Sequence, residues 1–238
     1  MPITSTHNDK LKEVRRLARR SARGEGGRFV AEGEDLVAAA EAAGWPPVYV
    51  LGAADSGLQG EEVEPELLAR VSGLGSGTRQ LGVYEQRWSA PRGPLCVALW
   101  GVGDPGNVGT TLRSALAFGA TCIALGPGCA DPFGPKAVRA SMGAIFSVPV
   151  ARVSSVDELP GERLALAARA GEPLAGPAHG ELSVLVGAER AGLPADVVAA
   201  CERVAHIAIA GDSLNAAMAA TVALYELTRE PGPRMARS

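Results

Sequence analysis

The sequence predicts an α/β fold whose second half is a doubly wound domain built on a parallel sheet. Residues 95–100 form an unbroken apolar run, which is typical of a parallel strand covered on both faces. With 238 residues and 47% hydrophobic content, the chain can bury the core of one large or two small domains. Further apolar runs follow the first, each separated from the next by helical or loop sequence, at residues 121–125, 148–153, 164–168, 182–186 and 204–209.

The first part of the chain alternates helix and strand on a smaller scale. The pattern predicts helices over residues 8–22, 35–43 and 65–71 and strands over residues 28–31, 47–51 and 80–84. The stretch 88–94 contains two prolines and a glycine, the composition of a linker. We therefore expect an N-terminal domain of residues 1–87, a linker of residues 88–94 and a C-terminal domain of residues 95–238.

Composition excludes several classes of protein. No apolar run approaches the ~20 residues of a membrane span, and the N-terminus is polar and basic without a following apolar signal segment, so we expect a cytoplasmic protein with no membrane contact. The cysteines form no CxxC pair and the three histidines lie far apart, so neither a metal site nor a disulfide framework is indicated. Buried thiols are the interpretation we favour for the four cysteines, Cys96, Cys122, Cys129 and Cys201.

Positive charge is concentrated at the N-terminus. Residues 1–28 carry eight basic and three acidic side chains, so their net charge is +5 while that of the remaining chain is −8. Basic residues on successive helical turns are typical of contact with a phosphate backbone, and a solvated helix face is the alternative. Ten aromatic residues are too few for single-strand binding by rows of stacked rings. The candidates for nucleic-acid contact are Lys10, Lys12, Arg15, Arg16, Arg19, Arg20 and Arg23.

Three short polar clusters follow predicted strands, at residues 107–113, 187–189 and 213–215. The first turn of a helix carries free backbone N–H groups, so polar residues at a strand-to-helix junction can present hydrogen-bonding groups to a ligand. Ser213 lies where we expect the N-cap of the last helix, and capping alone would account for a serine there. The occurrence of three clusters at equivalent strand ends favours a ligand site.

Residues 101–106, Gly-Val-Gly-Asp-Pro-Gly, match the GxGxxG pattern of dinucleotide-binding domains, so a nicotinamide-dependent oxidoreductase is one alternative. The match is weak, because Pro105 stiffens a turn that should wrap a pyrophosphate. In addition, residues 124–128 contain no acidic side chain to bind a ribose hydroxyl. A helix start explains the motif more simply, with Asp104 as the cap and Pro105 at the first helical position.

Four ordered motifs carry a family resemblance. They are DPGNVGTTLR at 104–113 with AFGA at 117–120, DPFGPKAVRASMGA at 131–144, GAE at 187–189 with GL at 192–193, and SLN at 213–215. Together they resemble the SpoU (TrmH-like) RNA 2′-O-ribose methyltransferases. The N-terminal domain, with FVAEG at residues 29–33, is similar to the RNA substrate-binding domain often fused to these enzymes, a small α/β module related to ribosomal RNA-binding proteins.

The resemblance implies a SPOUT fold, in which the C-terminal part of the chain forms a trefoil knot whose loops hold S-adenosyl-L-methionine; it implies no metal. Gly187 fits this role because a residue without Cβ lets the backbone approach a ligand closely. Carried onto this sequence, the cofactor-binding residues are Leu185, Gly187, Ile207, Ile209, Leu214 and Ala216.

The implied chemistry is transfer of a methyl group to a ribose 2′-hydroxyl, which requires alignment and a more nucleophilic hydroxyl. Arg113 is the catalytic candidate for the second task, by binding the adjacent phosphate and polarising the hydroxyl. A general-base role for it stays open, although arginine rarely loses its proton. Asn107 and Asn215 would position the substrate and the loops. Glu189 would anchor the site by hydrogen bonds, and Ser213 would orient its neighbours.

Departures from the family pattern concern the cofactor loops. Ala188 replaces a frequent Asn, Ala208 stands where Pro is usual, and the segment between Gly211 and Ser213 is shorter than is common. Since the polar motif residues remain, we expect an active enzyme, and the alternative is a non-catalytic RNA-binding protein with a degenerate cofactor site. The basic N-terminal domain favours 23S ribosomal RNA over transfer RNA, with antibiotic-resistance methylation as a special case.

Members of the family pair through their knotted domains, so we expect a homodimer. The last helix, predicted over residues 214–227, has a face of small residues that suits close approach across a two-fold axis, while the other face can cover the sheet. The stripe of larger residues consists of Leu214, Ala217, Met218, Thr221, Val222 and Tyr225, and the small face of Ala216, Ala219, Ala220 and Ala223.

Overall fold

The structure is a computed structural model that describes residues 1–73, 77–211 and 213–229. It divides into two compact units. The first unit comprises Met1–Arg87 together with Asp131–Ser147, and the second comprises Trp88–Ala130 and the chain from Val148 onward. The segment 131–147, which lies inside the expected C-terminal domain, is thus grouped with the first unit, and the chain crosses between the units three times.

Helices and strands alternate along most of the described chain. Two 3-10 helices, Ala144–Phe146 and Val156–Glu158, accompany them. In chain order the elements are α1 (Asp9–Leu17), α2 (Arg20–Gly26), β1 (Arg28–Glu32), α3 (Glu34–Ala42), β2 (Tyr49–Ala53), β3 (Glu61–Val63), α4 (Pro65–Val71), β4 (Gln80–Glu85), β5 (Leu95–Trp100), α5 (Pro105–Ala117), β6 (Cys122–Leu125), α6 (Pro135–Ser141), β7 (Val150–Arg152), β8 (Glu162–Leu166), β9 (Glu172–Pro173), β10 (Leu182–Gly187), α7 (Ala195–Ala199), β11 (Arg203–His206) and α8 (Ala216–Thr228).

The predicted helix over residues 8–22 is two helices, and the reason is a buried arginine. α1 ends at Leu17, and Arg19 is extended, with φ −90° and ψ 136°. The Arg23 guanidinium donates to the carbonyls of Leu17 and Ala18, at 2.8 and 2.9 Å. A continuous helix would use those two carbonyls for its own i→i+4 bonds, so the buried side chain replaces the backbone donors and the helix breaks.

The first unit contains a four-stranded sheet in the order β1-β4-β2-β3, with β3 parallel to β2 and the other neighbours antiparallel. One face of this sheet packs on α1 and α4, with Leu51 and Leu81 buried between them. The prediction missed β3, which is three residues long and too short for an alternation pattern to be recognised.

The opposite face of that sheet carries an aromatic cluster to which the segment 131–147 contributes. Ring centroids lie 4.9 Å apart for Phe29 and Phe133, and 5.0 Å apart for Tyr84 and Phe146. Trp45 completes the cluster at 5.4 Å from Phe146. Since buried aromatic side chains contribute strongly to a core, this segment is an integral part of the first unit.

The second unit is built on a seven-stranded sheet in the order β7-β6-β5-β10-β8-β11-β9, in which every strand pair is parallel. All six residues of β5 are buried, as the apolar run predicts. The expected α/β fold with a parallel sheet is confirmed. The chain leaves β5 toward β6 on one side and leaves the adjacent β10 toward β11 on the other, and such a reversal is where open α/β sheets bind ligands.

The assignment of faces on α8 was wrong. Ala217, Ala220 and Ala223 are buried, whereas Met218 is 60% and Tyr225 is 56% exposed. The small residues allow α8 to pack closely on α5 of the same chain. A hydrogen bond of 2.6 Å between the Ser114 and Thr221 hydroxyls joins the two helices.

Candidate functional site

A cavity of about 660 Å³, which we call the main cavity, lies at the carboxyl ends of β8, β10 and β11. Three stretches of chain that follow these strands form most of its wall, so the parallel sheet brings together segments that are distant in sequence. The lining residues are 166–168, 186–193, Val198, Ile207, Ile209, Ser213, Leu214, Ala216 and Ala219.

Gly187 is required where β10 meets the loop that follows it. A Cβ at this position would collide with the backbone of Gly192 and Leu193. The loop folds back because the Gly192 N–H donates to the Ala188 carbonyl at 2.8 Å and Gly192 has φ +66°. The close approach that favours glycine at position 187 is therefore to the chain's own backbone, and not only to a ligand as the sequence suggested.

Asn215, not Ser213, is the N-cap of α8. Its Oδ1 accepts from the backbone N–H groups of Ala217 and Met218, at 3.0 and 3.3 Å. The helix consequently begins at Ala216, two residues later than predicted. Ser213 is exposed and lines the main cavity with Leu214, so the serine hydroxyl is not used in capping.

A chain of side-chain hydrogen bonds joins three of the sequence motifs. Asn107 Nδ2 donates to the Glu189 carboxylate, and Asn215 Nδ2 donates to Asn107 Oδ1 at 3.0 Å. Asp104 caps α5 by accepting from the backbone N–H of Asn107 at 3.2 Å and thereby fixes the position of that residue. The structure thus brings together Asn107, Glu189 and Asn215 beside the main cavity.

Arg113 lies apart from this cluster. It is exposed on α5, six residues after Asn107 and therefore about 9 Å further along the helix axis. It does not line the main cavity, and within the described residues its guanidinium has no hydrogen bond or ion pair. The side chain is accordingly available to a molecule outside its own chain.

Five of the six predicted cofactor residues line the main cavity: Gly187, Ile207, Ile209, Leu214 and Ala216. Leu185 does not, because it is completely buried within β10, paired with β5 and β8. The sequence reasoning missed the contribution of residues 166–168 and of Leu193 and Val198. Residues 166–168 form the end of the strand predicted over residues 164–168, so their position at a strand end was the available signal.

The basic residues near the N-terminus differ in their surroundings. Arg23 is only 4% exposed and forms an ion pair with Asp131 at 2.8 Å, so it is a structural residue of the first unit rather than a surface cation. Lys10 forms an ion pair with Glu61, and Lys12 with Asp9. We call the exposed members of this group the basic surface; it comprises Lys12, Arg15, Arg16, Arg19 and Arg20.

The described ranges contain neither a metal-binding cluster nor a membrane-spanning helix. No group of three or more His, Cys, Asp or Glu side chains is placed to hold a metal ion there. None of the helices described is long and apolar enough to cross a bilayer.

Comparisons with known proteins agree with this arrangement. Residues 94–225 match the SpoU rRNA Methylase family, and residues 8–80 match the MRM3-like substrate binding domain. The chain is 29% identical to the 23S rRNA (guanosine(2553)-2′-O)-methyltransferase RlmP of Bacillus subtilis, over 94% of this chain and 98% of that protein.

Solved structures show the same fold. An AdoMet-bound rRNA methyltransferase from Sinorhizobium meliloti superposes with a TM-score of 0.85 at 30% identity, covering 95% of this chain and 97% of the other. The SpoU methyltransferase AviRb from Streptomyces viridochromogenes, in complex with AdoMet, gives a TM-score of 0.83 at 27% identity, covering 93% and 97%. The family match spans more than half of the sequence and includes the hydrogen-bonded motif residues, so this chain belongs to the SpoU rRNA methylase family.

Proposed function

We propose that this protein transfers a methyl group from S-adenosylmethionine to a ribose 2′-hydroxyl of structured RNA, and that the RNA is 23S ribosomal RNA rather than transfer RNA. The observation that carries the proposal is the hydrogen-bonded set of Asn107, Glu189 and Asn215 beside the main cavity. The relatives support it, since RlmP is a 23S rRNA 2′-O-methyltransferase and two structural neighbours are bound to AdoMet.

The main cavity fits the cofactor. Its volume of about 660 Å³ lies within the usual range for small-molecule sites, and its wall is mostly apolar side chains and strand-end backbone. Gly187, Ile207, Ile209, Leu214 and Ala216 would hold the cofactor, which supplies an electrophilic methyl group. The short loop 188–192 and the capped start of α8 would hold these contacts in place without Asn at position 188 or Pro at position 208.

The protein's own task is to position and activate the hydroxyl. Arg113 would bind the phosphate next to the target ribose and polarise the 2′-hydroxyl, because a guanidinium donates to oxygen and stays charged. Asn107 and Glu189 would keep the start of α5 aligned with the cavity. Ser213, whose hydroxyl is not used in capping, would contact the substrate or orient Leu214.

We further propose a trefoil knot and a homodimer, which would complete the site. The knot is supported by the strand order, in which β10 lies between β5 and β8, and by the packing of α8 against α5 and β10. The dimer is supported by exposed apolar side chains on α5 and α8: Leu116, Met218, Val222 and Tyr225. Such a dimer would bring a cavity of one chain toward Arg113 of the other.

The N-terminal domain, residues 1–87, would bind the RNA through the basic surface, and the chain would act in the cytoplasm, where ribosomal RNA is processed. The test is mass spectrometric mapping of 2′-O-methyl nucleotides in ribosomal and transfer RNA from cells with and without the gene. We expect one 23S rRNA position to lose its methyl group and to regain it when the purified protein and S-adenosylmethionine are added. An unchanged map would contradict methylation and favour a non-catalytic RNA-binding protein.

Arg113→Ala tests the assignment within the site. Methyl transfer should fall by about 100-fold or more, the order expected when a transition-state contact is removed, while cofactor affinity stays within about twofold. Arg113→Lys should restore little, since the planar fork is lost. Single-turnover rates and calorimetry with S-adenosylmethionine measure the two effects separately, and retention of most of the rate in Arg113→Ala would contradict the role.

A further inference from the structure

A second cavity, which we call the aromatic pocket, lies within the first unit, and the proposed reaction does not use it. It has a volume of about 470 Å³. Its wall is formed by α3, the loop after α3, β2 and β4, and includes Val37, Glu41, Trp45, Pro46, Pro47 and Tyr84. A volume of this size is enough for a single nucleobase.

Tyr84 is a buried side chain whose hydroxyl lines the aromatic pocket. It is 1% exposed, its ring packs against Phe29 and Phe146, and no described residue forms a hydrogen bond with its hydroxyl. The Tyr84 ring packs over Gly82, and a Cβ at position 82 would collide with that ring. The hydroxyl lines the cavity and forms no hydrogen bond within the described residues, so it is available to a ligand that enters the pocket.

Glu41 supplies a charged group in the wall of the pocket, which also includes Gln59. It lies on α3, and its carboxylate is exposed. Burial, with a further contribution from the negative charge of Glu41, raises the pKa of Tyr84 to about 12. At neutral pH the phenol is therefore a hydrogen-bond donor and the nearby carboxylate an acceptor.

The Tyr84 donor and the Glu41 acceptor match a ligand that carries a hydrogen-bond acceptor next to adjacent donors. One edge of guanine carries the O6 acceptor, the N1–H donor and the N2 amino group in that order. Adenine and cytosine place an acceptor nitrogen next to their amino group, and uracil has a single donor between two acceptors, so each would leave a carboxylate oxygen unpaired. Pro46 and Pro47, which are exposed, add apolar surface suited to the face of an unstacked base.

We propose that the aromatic pocket binds one unpaired guanine of the RNA substrate. Glu41 accepts from N1–H and the N2 amino group, and the Tyr84 hydroxyl donates to O6. The inference rests on the proposed function, because it makes this pocket a base-reading site of the same RNA-binding domain. The basic surface then supplies affinity for any phosphate backbone, and the pocket supplies selection at one nucleotide.

Guanosine, inosine and adenosine 5′-monophosphates test the proposal on the full-length protein, because all three carry the same phosphate. Inosine monophosphate lacks only the N2 amino group. By saturation-transfer NMR and calorimetry, the wild type should bind GMP about tenfold more tightly than AMP, with IMP in between. Glu41→Gln should remove this preference, and Tyr84→Phe, which keeps the buried ring, should weaken GMP about three- to tenfold. Glu66→Gln, an exposed carboxylate on α4, is the matched control and should change nothing.

Two results would overturn the pocket assignment: equal affinity for GMP and AMP in the wild type, or competition by free arginine as strong as that by GMP, which would point to a protein side chain as the ligand. Cofactor binding and 2′-O-methyl mapping on the same proteins separate this inference from the proposed function. If the protein shows no preference for GMP but still methylates RNA, only the assignment of the pocket is refuted. Guanine preference without cofactor binding or methylation supports the pocket and refutes the enzyme.

Discussion

Asn215 acts at two places with one side chain. Its Oδ1 caps α8, and its Nδ2 donates to Asn107, which in turn donates to Glu189. Serine, the residue favoured from sequence as the cap, could accept from the helix but could not reach across to Asn107 while doing so. An amide is the side chain that carries an acceptor and a donor on the same rigid group.

Asn215→Asp separates these two functions. The carboxylate still caps α8 and suits the helix N-terminus, so the free energy of unfolding should change by less than about 0.5 kcal/mol. Donation to Asn107 is lost, and methyl transfer should fall about tenfold or more. Asn215→Ala, which loses both, should also cost about 1 kcal/mol of stability. Thermal unfolding and single-turnover rates test this; wild-type activity in Asn215→Asp would show that the link to Asn107 is dispensable.

At the scale of elements, the break between α1 and α2 makes Arg23 different from the other basic residues. Its guanidinium is buried, bonded to two carbonyls and paired with Asp131, whereas Arg19 and Arg20 are exposed beside it. One segment of sequence therefore contains both a structural arginine and surface cations. Periodicity could not separate them, because all lie on successive turns of what reads as a single helix.

Arg23→Met should reduce the free energy of unfolding by about 3 kcal/mol, because it leaves Asp131 and two carbonyls without their buried donor. Arg19→Ala should leave stability within about 0.5 kcal/mol and instead weaken RNA binding, lowering the slope of log K against log salt by about 1. Denaturant unfolding measures the stability of both variants, and filter binding at several salt concentrations measures their affinity for RNA. Equal stability of the two variants would contradict the structural role of Arg23.

At the scale of the whole molecule, the exposed apolar side chains of α5 and α8 are the basis of the proposed dimer. Leu116 is 49%, Met218 is 60% and Tyr225 is 56% exposed, and Arg113 lies on the same helix as Leu116. The small residues that suggested a dimer face from sequence are used within the chain instead. The surface proposed for pairing is therefore the larger-residue face.

Hybrid dimers test whether the site is shared. If Arg113 of one chain serves the cavity of the other, mixing Arg113→Ala chains with Asn215→Ala chains should restore about a quarter of the wild-type rate. Random pairing makes a fraction of the dimers hybrids of the two variants. In each hybrid, one site carries both changes and the other site is intact. Neither variant alone should recover. A fully active monomer in sedimentation at micromolar concentration would refute the shared site.

The sequence by itself determined much of this protein. Buried parallel strands such as Leu95–Trp100 are predicted correctly because both of their faces are apolar, so the apolar run can be recognised without knowing the neighbouring strands. The start of α5 also read correctly, with Asp104 as cap and Pro105 following it, because capping is a local property. Motif order identified the family and placed Asn107, Glu189 and Asn215 in one site.

Tertiary structure decided what depends on partners distant in the chain. The division of one basic helix into two follows from the burial of Arg23 against Asp131, more than a hundred residues away. The grouping of residues 131–147 with the first unit follows from Phe133 and Phe146 in its aromatic cluster. The faces of α8 followed from which neighbour it packs on. Local sequence specifies helix and strand through near neighbours, whereas burial depends on the folded chain as a whole.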